Sequence, residues 1–100
     1  MVASAVFKCI MLAGFHVEVV EVPVTEYETA HISQLHNGAQ FEASVMEGRL
    51  NYVSIEIPEI GAKTMSHSFK DYEQRSMSTR LEVKNTLATM DCEINKVPVK

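Results

Sequence analysis

Apolar and polar residues alternate with a period of two along much of this chain, most regularly between Gln40 and Pro58. There Phe41, Ala43 and Val45 precede a short break at Glu47, Gly48 and Arg49, and Val53, Ile55 and Ile57 follow it. Period-two alternation marks a half-buried strand, so this stretch reads as an antiparallel hairpin with one buried face. A two-residue loop at Glu47 and Gly48 pairs Val45 with Leu50 and splits the apolar set between faces. A three-residue loop of Glu47, Gly48 and Arg49 pairs Met46 with Leu50 and keeps the set together, and is expected.

Residues 3–12 are almost wholly apolar and read as a strand or helix of the core, closed by Gly14. Residues 15–24 are rich in valine and read as a strand. Val17 and Val19 share one parity, whereas Val20, Val22 and Val24 share the other. A β-bulge at Val19 and Val20 is expected, to return all five valines to one face and leave Glu18 and Glu21 outward. Pro23 cannot donate to a ladder, so this strand belongs at a sheet edge or ends there.

Residues 25–36 fit a short helix, with Thr25 and Glu28 forming a capping box and Asn37-Gly38 supplying the stop. The same Asn-Gly pair also suits a strand entering a hairpin. Ser68 and Asp71 mark a second helix over residues 68–77, carrying Phe69, Tyr72 and Met77 at helical spacing. Residues 80–84 alternate, Asn85-Thr86 turns, and Ala88, Met90, Cys92 and Ile94 alternate again, which predicts a terminal hairpin. The expected fold is α+β: an antiparallel sheet of five to six strands with one or two short helices on one face. A ferredoxin-like βαββαβ order is the alternative.

One hundred residues, 46% hydrophobic and 22% charged, make a single globular domain over 1–100. The longest apolar run spans residues 9–15, far short of the roughly 20 needed to cross a bilayer, so no membrane partner is expected. The first dozen residues lack a basic n-region and are broken by Lys8, so they read as a core element and not a secretory signal. An intracellular, cytoplasmic protein is expected, with Cys9 and Cys92 reduced and buried. They can bridge only if the first and last elements lie side by side.

Net charge is −4, divided unevenly. Residues 1–59 carry Lys8 and Arg49 against eight glutamates, whereas residues 60–100 carry seven basic and five acidic groups. Such a split suits association with an oppositely charged partner or a second copy. It does not suit nucleic acid: Lys63, Lys70, Arg75, Arg80 and Lys84 are interspersed with Asp71, Glu73 and Glu82, a poor phosphate-binding surface.

No spacing in the chain names a reaction. His31 and His36 are five apart, which chelates on neither a helix nor a strand, and no HxH, HxxxH or CxxC occurs. Ser66, His67, Ser68 and Asp71 are the residue types of a hydrolase triad without its geometry. The four isolated glycines form no phosphate-binding loop, so no cofactor, metal or catalytic residue is assigned.

Surface recognition remains. The expected function is that of a small acidic binding or regulatory protein working by protein–protein contact, an inhibitor of a larger basic protein among the options. It is expected to be self-associating, a homo-oligomer as well as the partner of another protein. Glu18, Glu21, Glu26 and Glu28 form the expected acidic contact patch. Met46, Leu50 and Tyr52 form a semi-apolar second face of the central hairpin. A small-molecule or enzymatic domain, with a pocket between sheet and helices and His16 and His67 as its polar groups, is the alternative.

Overall fold

The structure, a computed structural model, describes residues 5–25, 29–46, 49–67 and 75–96. It corrects the α+β expectation, and the ferredoxin-like alternative with it. Eight strands form two four-stranded antiparallel sheets, and the helical content of the described residues is one 3-10 turn at Pro58–Ile60. The strands are β1 (Ala5–Ala13), β2 (His16–Val24), β3 (Ala30–His36), β4 (Ala39–Met46), β5 (Arg49–Ile57), β6 (Ala62–His67), β7 (Ser76–Val83) and β8 (Thr86–Lys96).

Sheet order is β2-β1-β8-β7 in one layer and β3-β4-β5-β6 in the other. Neighbouring strands in each sheet are antiparallel, and β8 returns beside β1. The chain therefore walks a closed up-and-down circuit, cut at two seams where β2 passes to β3 and β6 to β7. The inner faces of the two sheets meet in one core, in which Phe7, Met11, Phe41, Leu50, Ile55 and Met90 are fully buried. Burying both inner faces removes apolar surface from water at about 25 cal/mol per Å², the main stabilising term of two packed sheets.

The first expected helix is a strand over residues 30–36. Over Ala30–His36, Ile32 is buried while His31, Ser33 and Leu35 are exposed, a period of two and not 3.6. Asn37 and Gly38 both adopt positive φ, 48° and 83°, the signature of a type I′ hairpin turn. The Asn-Gly pair is thus a hairpin and not a helix stop. The second expected helix falls mostly on residues 68–74, outside the described residues; its last two positions, Ser76 and Met77, open strand β7.

Three details of register also differ. No bulge occurs in β2, whose pairing with β1 runs unbroken from Ala5↔Val24 to Ala13↔His16. The valines therefore divide between two faces, with Val20, Val22 and Val24 inward and Val17 and Val19 outward. In the central hairpin Met46 pairs with Arg49 and Val45 with Leu50, and the register shifts after Ser44, which pairs with Tyr52. Asn51 is the extra residue of a bulge, and it returns Val53, Ile55 and Ile57 to the buried face. The terminal turn falls at Lys84-Asn85, one residue before the expected position, with Val83 paired to Thr86.

Pro23 lies on an edge strand, as its missing N–H requires. Cys9 and Cys92 are buried, as expected, but not reduced. They are directly opposite in the β1–β8 ladder and joined as a disulfide.

Candidate functional site

The seam between β2 and β3 is held by polar side chains that point inward from two edge strands. Glu18 accepts a hydrogen bond from Gln34 Nε2, and its other carboxylate oxygen lies 3.1 Å from His36 Nδ1. His36 Nε2 lies 3.1 Å from the carbonyl oxygen of His16, and the His36 ring packs 6.2 Å from that of Phe41. Asn37 Nδ2 donates to the carbonyl of Ala13 at 2.9 Å, tying two hairpin turns together. The opposite seam is closed by Thr64 and Thr79, whose hydroxyls are 3.1 Å apart, and by Ser66 Oγ donating to the carbonyl of Ser78. These contacts satisfy polar groups at the layer edges; no catalytic geometry arises from them.

The outer face of the β3-to-β6 sheet is mostly polar, with Leu35, Met46 and Met65 exposed on it at separate places. One row across it reads His31, Ser44, Tyr52 and His67 by register. The Tyr52 hydroxyl is 3.3 Å from His31 Nε2, and Glu42 Oε1 is 3.9 Å from the same nitrogen. No cluster of three or more metal-ligating side chains occurs among the described residues.

The outer face of the other sheet is divided in two. On β1 and β2 the register places Val19 beside Ile10 and Val17 beside Leu12, and the Lys8–Glu21 row separates them from Val6 beside Pro23. Phe15, in the hairpin turn that joins them, is fully exposed; Val17, Val19 and Ile10 are 62%, 50% and 39% exposed. On β8 and β7 these rows continue into Asp91 and Ser78 and into Thr89 and Arg80, while the Lys8–Glu21 row continues into Glu93 and Ser76. An uncovered apolar stripe therefore lies beside a charged and hydroxyl-rich strip. Exposed apolar side chains adjacent across two strands, and not scattered singly, mark this face as a candidate contact surface.

A groove of about 480 Å³ opens at the polar side of this face, lined by Lys8, Ile10, His67, Met77, Asp91 and Glu93 among others. His16 is not in it but at the opposite seam, so the structure separates the two histidines expected to share a pocket.

The expected contact residues also scatter. Glu18 turns inward to the seam, while Glu21 is exposed in the row of Lys8 and Glu93. Glu26 and Glu28 lie outside the described residues. Leu50 is wholly buried and offers no surface, Met46 is exposed on the other sheet, and Tyr52 is half-buried beside His31. The apolar residues Ile10, Leu12, Phe15, Val17 and Val19 of the β1–β2 face are not among the expected contact residues. The signal was the two-parity valine pattern of β2, which the expected bulge would have erased.

No protein-family model matches the chain, and neither does any curated protein or solved structure searched. No helix among the described residues is long and apolar enough to cross a membrane.

Proposed function

We propose that this protein is a binding module that works by protein–protein contact, and that its contact surface is the outer face of the β1–β2 hairpin. The observation that carries this reading is the apolar stripe of Ile10, Leu12, Phe15, Val17 and Val19, with Phe15 wholly exposed at the hairpin tip. Aromatic and aliphatic anchors on a rigid strand pair suit an interface core, with charged side chains beside them as its rim. Of the expected acidic contacts, Glu21 adjoins this surface. A photo-reactive side chain at Val17, with Ser33 on the other sheet as control, tests the assignment in cells that make the protein. Adducts heavier than the chain are expected from position 17 alone; none from either position, or equal yields from both, would overturn it.

The disulfide bears on where this happens. Bridged cysteines persist in oxidising compartments, and a buried bridge between the first and last strands favours maturation outside the cytoplasm over the cytoplasmic location expected from sequence.

The groove near Lys8 and His67 supports a second reading as a small-molecule site, because about 480 Å³ is within the range of ligand pockets. A fragment screen read by amide shifts of Ser66, Met77 and Asp91 tests it, and unresponsive amides would remove it.

A further inference from the structure

We infer that the occupant of the β1–β2 face is a protein surface that presents apolar side chains flanked by lysines or arginines; this rests on the binding reading above. The stripe is bordered by Glu21 on β2 and by Asp91 and Glu93 on β8, with Lys8 the one basic residue set among them. None of these three carboxylates is in a salt bridge among the described residues, whereas Arg80, farther along the face, is matched by Glu82 at 2.9 Å. Among the described residues the border of the stripe thus sets three carboxylates against the one ammonium of Lys8, which stands between Glu21 and Glu93, a net negative charge.

That border selects the partner's chemistry. Lysine and arginine lay their aliphatic stems along apolar surface and carry their charge beyond it, so they can cover Val17, Val19 and Ile10 while reaching Glu21, Asp91 or Glu93. A second copy docking through this same face would bring two net-negative borders together, and like charge brought together at an interface disfavours that pairing. The occupant is a different protein, not another copy of this chain.

Docking uses the face and not the strand edge. The free edge of β2 carries Pro23, which cannot donate to an added strand, and Glu18, whose side chain points inward between the sheets. Both are devices that keep an edge from pairing with another chain.

The test is an amide-shift titration of the intact, oxidised protein with three heptapeptides, alternating lysine–leucine, glutamate–leucine and lysine–serine. The lysine–leucine peptide is expected to move the amides of Ile10, Phe15, Val17 and Val19 and to bind about tenfold more tightly than either of the others. Its effect should weaken as salt rises from about 20 to about 300 mM. The charge reversals Glu21→Lys and Asp91→Lys together should transfer the preference to the glutamate–leucine peptide. Equal response to glutamate–leucine removes the cationic partner while leaving the binding face in place. Equal response to lysine–serine shows charge attraction alone and overturns the inference, as do concentration-dependent shifts of the same amides without peptide, which would mark a second copy. Silence of the hairpin amides toward all three peptides removes both the inference and the binding face.

Discussion

Cys9 and Cys92 face each other across β1 and β8 with their Cα atoms 4.1 Å apart and their sulfurs bonded. The two-residue turn at Gly14 makes Ala13↔His16 a hydrogen-bonded pair of the β1–β2 ladder. By alternation Cys9 also directs its backbone groups toward β2, which leaves Cys9↔Cys92 a non-hydrogen-bonded pair of the β1–β8 ladder. In such pairs the Cα atoms approach to about 4.5 Å and the side chains are closest. The bridge thus fastens the last strand to the first at the closure of the circuit.

Cross-linking residues 83 apart removes much of the unfolded chain's freedom. In the chain-entropy account this is worth roughly 4 kcal/mol. Urea unfolding with and without reductant should show a loss of that order. Coincident curves would mean that the bridge is absent or without effect.

Lys84 is held at a φ of 54° in the β7–β8 turn, a conformation that costs a side chain bearing Cβ about 1 kcal/mol. Lys84→Gly should raise the urea midpoint by up to about 1 kcal/mol equivalent, less the backbone entropy glycine adds to the unfolded state. Asn37→Ala should do the opposite by about 1–2 kcal/mol, because it loses both a residue suited to positive φ and the bond to the Ala13 carbonyl.

Asn51 has no partner in the β4–β5 ladder, between Leu50 opposite Val45 and Tyr52 opposite Ser44. Its deletion should straighten the ladder and leave every side chain on its present face. Deleting Val53 instead should turn the remainder of β5 over and expose the Ile55 side. Circular dichroism and melting of the two deletion variants check this: the first is expected to fold and the second not to. The opposite order would refute the register.

Glu18 holds Gln34 and His36 from one carboxylate at the β2–β3 seam. Because the group is partly exposed, Glu18→Ala should cost only about 1 kcal/mol. Hydrogen exchange should quicken locally in β2 and β3 while β6 and β7 keep their protection. A uniform rise across all strands would show that the seam is not a local unit.

Val17→Thr with Val19→Thr should leave stability within about 0.5 kcal/mol, since both side chains face water in the free protein. Phe41→Ala, in the core, should cost about 3–5 kcal/mol. Comparable losses would mean that the β1–β2 stripe is covered by the chain itself.

Local signals in the sequence determined the strands that it read correctly. Period-two alternation identified the central and terminal hairpins, and the missing N–H of Pro23 placed β2 at an edge. These are properties of neighbours in the chain, and a strand's parity is visible without knowing its partner. Helix was wrongly expected over residues 25–36 because a capping-box pattern and an Asn-Gly pair suit two local structures, and only the buried place of Ile32 among the strands decided between them. Pairing of the first strand with the last was decided by tertiary structure alone, and with it came the disulfide; the β4–β5 register decided the bulge at Asn51, and the β1–β2 register the side of the sheet on which Val17 and Val19 stand. Each depends on which distant backbone satisfies a strand's hydrogen bonds, and no run of adjacent residues records that.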